Sequence, residues 1–449
     1  MNLTEAVKAA GVVGAGGAGF PTHVKLSGQV ECFIVNAAEC EPLIETDKYL
    51  CRTFPDRIIK GVELIREHLG AKRAVIALKG KYHPEIEALK GAIKDQNSDV
   101  ELFEMATFYP AGDEQTMVQQ VTGRVIPERG LPANVGCVVD NVGTVLNVLD
   151  AVEGIPVTDK FLSVVGEVDQ PIMLRVPIGT PLRECVSAAK PAIGDYALVV
   201  GGPMMGKPLT DGKAIDDAVV TKTTGNLIVL PKDHYLFRRA SLPLSTIRHQ
   251  AMSACIQCHM CTDLCPRFLI GHQIRPHLMM RNIWREGEIR DNDTYLKTFG
   301  DAVNCCSCGV CEMFACPMGL SPRKVNEYLK GELRNRGIQV PKNTDPEVKP
   351  TVDTHKTPTD RLVARLGLSQ YYGKHARSCV ELLPDEVFIP FQQHIGKPAV
   401  AVKGIGSTVE KGELIAKADE GLSVNIHASV AGTVTDITPK GMMIRRRKE

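Results

Sequence analysis

Apolar positions near the start of the chain recur as Leu3, Ala6, Val7 and Ala10, the i, i+3, i+4, i+7 spacing of one helix face. A short apolar run at Cys32 to Val35 reads as a strand. It is followed by a helix with apolar face Ile58, Val62, Ile65 and Leu69, a strand at Ala74 to Leu78, a helix near Glu85 to Ile93 and a strand at Val100 to Met105. Strands alternating with amphipathic helices predict a mainly parallel sheet covered on its faces. After residue 155 the pattern changes to short runs, FLSVVGEV, YALVVGG and NLIVLP, broken by Gly and Pro turns, which predict a β-rich module over 156–235. Leu, Ile and Met spacing between Pro266 and Asn304 predicts helices inside a third module, 236–340. PKNTDPEVKPTVDTHKTPT has almost no apolar period and reads as an extended linker within 341–383. Short alternating strands with Gly turns fill 384–449. The pattern as a whole is that of a multidomain α/β protein whose first module spans 1–155.

A length of 449 residues, about three times the ~150-residue guide for one domain, agrees with several modules. The 53 basic and 52 acidic residues leave a formal charge of +1, which excludes a polybasic nucleic-acid binder. No run approaches the ~18 apolar residues of a membrane span, and MNLTEAVKAAGVV lacks the basic-then-apolar pattern of a secretory signal. The sequence is therefore read as cytoplasmic, where 15 cysteines stay free of disulfides unless a metal or cluster claims them.

Nine of those cysteines lie between Cys255 and Cys316, so the chemistry is concentrated there. CIQCHMCTDLCP places Cys255, Cys258, Cys261 and Cys265 in the C-x2-C-x2-C-x3-C-P run that wraps a [4Fe–4S] cluster. Zinc is the alternative, but four cysteines at such short spacings suit a cube better than one tetrahedral ion. The second run, CCSCGVCEMFACP, gives Cys305, Cys308, Cys311 and, one residue further on than the pattern asks, Cys316. Cys306 competes with Cys305 as a ligand, although only Cys305 keeps the x2 register. Two-cluster ferredoxins exchange the last cysteine of each run, which predicts the sets Cys255, Cys258, Cys261, Cys316 and Cys305, Cys308, Cys311, Cys265. Cys32, Cys40, Cys51, Cys137, Cys185 and Cys379 read as small buried hydrophobes. His259, His272 and His277 read as surface or packing residues.

Gly14, Gly16 and Gly19 satisfy G-x-G-x-x-G, yet a dinucleotide fingerprint follows a strand and opens a helix, and here a helical pattern precedes it and Phe20-Pro21 follows. The plain alternative is a flexible turn. The glycines do supply a backbone without Cβ atoms that can lie against a planar ring or a phosphate. Asn36, Glu39 and Glu41 emerge from the end of the Cys32–Val35 strand, where open α/β sheets place ligands.

GAGGAGFPTHVK resembles the flavin-binding loop of the NADH-oxidising flavoprotein subunit of respiratory complex I. NAAECEP, YPAGDEQ and LPANVGCVVDNVGT resemble segments of the RnfC component of the Rnf electron-transport complex. The order of modules resembles the cobalamin reductases of propanediol-utilisation microcompartments. The resemblance implies FMN held by Gly14, Gly16, Gly17, Gly19, Lys25, Asn36, Glu39 and Asn141. It places nicotinamide dinucleotide near Phe20, with Glu41, Asp113 and Glu114 around it. Where the complex I loop has an acidic residue, this chain has Ala38. For 156–235 the resemblance implies a soluble-ligand-binding β-grasp domain, in which Gly201, Gly202, Pro203 and Gly206 either meet a phosphate or corrin or form a plain turn. For 384–449 it implies a barrel-sandwich hybrid; the tip, His427 to Gly432, has no lysine to lipoylate or biotinylate, which leaves a structural or docking role. Arg445 to Lys448 read as a solvated tail.

A nicotinamide gives up two electrons at once, clusters and corrinoid cobalt take one, and a flavin works in both regimes. The expected route runs from NADH to FMN, through two [4Fe–4S] clusters, to a corrinoid or a corrinoid-handling partner protein. A second iron–sulfur protein or a microcompartment shell protein is the further partner implied, and the place implied is the inside of a bacterial microcompartment. Two other readings are a peripheral component of an Rnf-like complex and a non-enzymatic conduit fed by another flavoprotein.

Overall fold

Strands Cys32–Asn36, Arg73–Lys79, Glu101–Met105 and Cys137–Asn141 form a parallel sheet in the spatial order 101–105, 73–79, 32–36, 137–141. Phe33, Ile34, Val75, Ile76 and Ala77 are all buried, as a parallel sheet with helices on both faces requires. Helix Pro55–Leu69 supplies one cover, turning Ile58, Val62, Ile65 and Leu69 inward, and packs on helix Val142–Val152. Asn36 and Asn141 stand opposite each other at the carboxyl ends of the two neighbouring strands. The computed structural model describes residues 2–376 and 378–448. Met1, Arg377 and Glu449, at the margins of or within the expected 1–155, 341–383 and 384–449 segments, lie outside the described residues.

The second sheet is mixed, with the order 379–381, 172–177, 159–166, 226–231, 196–200, 207–209, and helix Leu182–Ala188 packs on it. Its edge strand Cys379–Glu381 is exposed along its length, so Cys379 is a surface thiol and not the buried hydrophobe expected. Cys32, Cys51, Cys137 and Cys185 are buried, and Cys40 is half-buried. Short helices, among them Leu244–Ala254, Pro276–Asn282 and Pro322–Asn335, close around Ile247, Met280, Tyr295, Phe299 and Leu329 to carry the two cysteine runs. The multidomain α/β class is thus realised as two sheets, a helical module and a small C-terminal β unit.

The segment 341–383, expected as an extended linker and connecting helix, carries a helix at Thr359–Arg365 and lies along the molecule as a strap. Asn343 exchanges hydrogen bonds with the buried Glu128, its amide donating to Glu128 Oε2 at 3.1 Å and its carbonyl accepting from Glu128 N at 3.1 Å. Lys349 N donates to Leu269 O, and Thr357-Pro358 pairs with Phe108-Tyr109. Low apolar content hid this because the strap is held largely by backbone bonds, which any sequence can make.

The C-terminal unit holds two small sheets, one of four strands and one of three. Val387, Ile389, Ile426, Ala428 and Met442 share one core with Leu3, Val7 and Val12 of the first module. The lysine-free tip is buried between that junction and the second module, with Ser429 Oγ donating to Ile178 O at 2.6 Å. Among the described residues no helix is long and apolar enough to cross a membrane.

Candidate active site: a glycine-walled cavity beside paired cysteine runs

A cavity of about 1470 Å³ opens at the carboxyl ends of strands 32–36 and 137–141, beneath the Gly201–Gly206 turn of the mixed sheet. Gly14 N donates to Phe20 O and Ala15 N to Thr144 Oγ1, both at 2.9 Å, which clasp the base of the glycine loop. At Gly17, φ is +121° and an added Cβ would point into open space, so the loop offers the cavity bare backbone in a conformation that only glycine takes easily. Gly14, Gly16, Gly17, Phe20, Lys25, Asn36, Glu39, Glu41, Asp113, Glu114 and Asn141 all line the cavity. Gly19 does not: it turns away, and its Cα packs toward Thr223 and the backbone of Gln393 and His394.

The polar groups at the strand ends form a fixed network. Asn36 Nδ2 donates to Gly112 O at 2.9 Å, and Asn141 Nδ2 donates to Asp47 Oδ2 at 2.8 Å. Glu39 is buried and accepts the amides of Asp47 and Lys48 at 3.3 Å. Burial, then the Asp47 charge, pushes its carboxyl up to about 8. Burial also lifts Asp47 to about 6 and lowers Lys160 to about 8. Lys25 donates to Val139 O at 2.7 Å and pairs with buried Asp140 at 3.4 Å. A Cβ-free wall, a cation and a carboxyl able to stay protonated near neutral pH match a flavin's flat ring, phosphate and polar edge.

Glu41 and Asp113 are already committed elsewhere. The Glu41 carboxylate accepts the amides of Met204 and Met205 at 2.6 and 3.2 Å, and burial pushes it up to about 7 against those bonds. Gly202 permits this approach, since a Cβ there would lie 2.1 Å from Glu41 Oε2. Asp113 caps helix Glu114–Thr122 and forms a two-pronged pair with buried Arg267 of the first cysteine run. Burial would raise its pKa, but Arg267 and Thr116 outweigh burial and hold it below the usual carboxylate value. Burial, reinforced by Asp113 and Asp140 and opposed by Lys25, raises Glu114. Sequence reasoning missed Asp47, Lys160, Tyr109 and Arg267; the visible signal was Lys160 and Arg267 standing in apolar surroundings.

A carboxyl whose pKa is raised on folding contributes most below its unfolded value, and that contribution is lost as pH rises through the folded value. Glu39→Gln in flavin-free protein is therefore expected to be more stabilising at pH 8 than at pH 5, by at most about 1.4 kcal/mol per pH unit. Denaturant titrations of both forms across that range measure the difference; a pH-independent difference contradicts the buried-acid account.

The cysteine runs cross over. Cys255, Cys258, Cys261 and Cys316 surround one small cavity. Burial, then the neighbouring Cys316, Cys255 and Cys258, pushes the Cys261 thiol up to about 12. Cys265, Cys305, Cys308 and Cys311 gather similarly, with Cys306 among them, close to both Cys265 and Cys308; burial, then Cys305 and Cys265, raises Cys311. Among the described residues no three His, Cys, Asp or Glu side chains converge on a single-ion point. In the first set the thiols border a small volume rather than a point, which fits a cube better than one ion. Cys306 lies beside Cys308 and faces the large cavity. His272 is a packing residue bonded to Ile126 O, and His259 stacks on His277 at 3.9 Å. Iron and sulfide are expected at about eight each per chain, and Cys316→Ala is expected to remove between one iron and a whole cluster. Unchanged iron in that variant contradicts Cys316 as a cluster ligand.

A family model for the Nuo51 FMN-binding domain matches residues 7–150, one for a 4Fe-4S dicluster domain matches 254–321, and one for the RnfC barrel sandwich hybrid domain matches 380–447. The chain is 42% identical to the cobalamin reductase PduS of Salmonella typhimurium, over 99% of this chain and 96% of that protein. The chain belongs to the PduS cobalamin reductase family. PduS of Citrobacter freundii is 41% identical over 99% of this chain and 97% of that protein. One component of the Na(+)-translocating ferredoxin:NAD(+) oxidoreductase complex of Acetobacterium woodii is 32% identical over 62% of this chain and 60% of that protein. The protein is an oxidoreductase with FMN and two [4Fe–4S] clusters as cofactors.

Proposed function

We propose that the protein oxidises NADH and delivers the electrons singly to a corrinoid, one NADH reducing two cob(III)alamins to cob(II)alamin and releasing NAD+ and one proton. The carrying observation is the shared wall: one cavity is bounded by the glycine loop on one side and by Cys306 and Cys308 on the other. FMN bound there supplies the conversion between hydride and single-electron chemistry. Gly14, Gly16 and Gly17 offer the flat wall; Lys25, Asn36, Glu39 and Asn141 supply polar contacts; Phe20, Glu41, Asp113 and Glu114 line the approach for nicotinamide. Glu41 acts by holding the Met204–Met205 turn over that approach, and Glu39, protonated near neutral pH, can donate a hydrogen bond into the cavity. Gly19 supports the loop from behind. The modules of this reading are 1–155 for flavin and NADH, 156–235 as brace, 236–340 for the clusters, 341–383 as strap and 384–449 as barrel.

The names of the PduS relatives support the corrinoid as acceptor. A place inside a microcompartment, serving a cobalamin-dependent diol dehydratase, belongs to the same reading and rests on the resemblance alone. The test is anaerobic reconstitution followed by NADH and visible spectra of added cob(III)alamin. Conversion to cob(II)alamin at two per NADH is expected. Protein that retains no flavin and shows no NADH-driven dye reduction would be a conduit instead.

A further inference from the structure

We propose that the clusters work in a fixed order: the Cys265, Cys305, Cys308, Cys311 set receives electrons from the flavin cavity, and the Cys255, Cys258, Cys261, Cys316 set is the outlet at which a corrinoid is reduced. This rests on the flavin-to-corrinoid reading above and adds direction and an exit face to it.

The entry side is built into the large cavity. Cys308 and its neighbour Cys306 line that cavity, whereas no cysteine of the other set does. Tyr109, another wall residue, donates its hydroxyl to Cys308 O at 2.7 Å. The Arg267–Asp113 pair fastens the residues just after Cys265 to the cavity rim, and Arg323 Nη1 donates to Met204 O at 2.7 Å beside Gly309. Electron tunnelling falls exponentially with edge-to-edge distance, so a braced wall that carries a cluster ligand is the natural first stop. Helix Met260–Asp263 of the first run packs on the Cys311–Ala315 turn of the second, which brings the two sets together in the interior.

The exit side faces outward. Cys258 is an exposed thiol, whereas in the other set Cys265, Cys308 and Cys311 are buried and Cys305 is half-buried. Ile256 and Met318, which share the small cavity with Cys258, are 62% and 47% exposed. None of the residues lining that cavity is Asp, Glu, Lys or Arg. Electron-carrier proteins find each other through complementary charged patches, and the lining of this cavity carries no acidic or basic side chain beyond the His259–His277 pair. Its hydrogen-bonding side chains Gln257, His259 and His277, set beside apolar Ile256 and Met318, suit the amide-fringed edge of a corrin ring, and so a corrinoid is the acceptor assigned to it.

Electron paramagnetic resonance of the reduced holoprotein tests both parts. Cys258→Ser and, separately, Cys308→Ser assign the two cluster signals, each shifting the signal of its own set; if either variant loses its cluster, the surviving signal belongs to the other set. A soluble dysprosium chelate is expected to broaden the Cys258-set signal and leave the Cys308-set signal unchanged. Cob(II)alamin, the acceptor's own paramagnetic form, is expected to do the same. Equal broadening of both signals, or greater broadening of the Cys308 set, overturns the order. Broadening of the Cys258 set by the chelate but not by cob(II)alamin overturns the corrinoid as occupant of this face. Failure of the underlying reading shows separately, as wild-type protein whose flavin NADH does not bleach.

Discussion

Alanine at Cys258 and Cys308 together is expected to stop delivery of electrons to cob(III)alamin while NADH still bleaches the flavin. Each substitution removes one of four thiolates from a different set, so iron should fall from about eight per chain to about six or fewer. The glycine loop, the strand ends and the Lys25–Asp140 pair lie in the first module and keep their own hydrogen bonds without the cysteines. Because Cys308 also lines the cavity, flavin content must be measured in the variant before rates are compared. The expected loss is about 100-fold or more in corrinoid reduction, equivalent to about 2.7 kcal/mol in the barrier. The competing account is direct reduction of the acceptor by the flavin, with the clusters serving only to hold the helical module together. That account predicts a wild-type rate from a folded, flavin-loaded double variant once the free-flavin rate is subtracted.

Features that depend on near neighbours were legible in the sequence, and features made by distant partners were not. The gathering of the thiols could be read because x2 spacing brings three cysteines of one turn together, and the placing of Cys316 with the first run and Cys265 with the second follows the pattern of two-cluster ferredoxins. The parallel sheet was legible because Phe33 to Val35 and Ala74 to Leu78 are continuous apolar runs, the mark of strands buried on both faces. By contrast, nothing near Glu41 announces that its carboxylate will meet the amides of Met204 and Met205, 163 and 164 residues away. The Asp113–Arg267 pair spans 154 residues and shows only as an arginine with no exposed face. The position of Gly19 off the cavity wall was hidden for a related reason: the pattern counts glycines, while the turn into Phe20-Pro21 decides which of them face the cavity. The strap over 341–383 escaped because backbone pairing leaves little trace in side-chain composition.

Lys25 decides how much of the flavin site is binding and how much is scaffold. Its side chain is 25% exposed and faces the cavity, while its partner Asp140 is 2% exposed and its Oδ2 has no hydrogen-bond partner among the described residues. Burial raises the Asp140 carboxyl, with Lys25 the opposing influence. Lys25→Met is expected to cost about 3 kcal/mol or more, because it leaves a buried carboxylate without its cation. The sign with pH follows from Asp140. Its pKa is raised on folding and would rise further without Lys25, so the loss should be small near pH 5 and grow toward pH 8, as Asp140 is forced to ionise. Adding Asp140→Asn removes the orphaned charge and should return most of the lost stability in denaturant titrations. The decisive measurement is then FMN retention and NADH-driven bleaching in the Lys25→Met, Asp140→Asn protein. If Lys25 contacts the cofactor, this restored scaffold still loses FMN, and bleaching at a fixed FMN concentration falls at least tenfold, equivalent to about 1.4 kcal/mol of lost interaction. A double variant that keeps FMN and bleaches at the native rate would reduce Lys25 to the counter-ion of Asp140, and the phosphate or ring contact would have to come from the glycine loop amides and Asn141 alone.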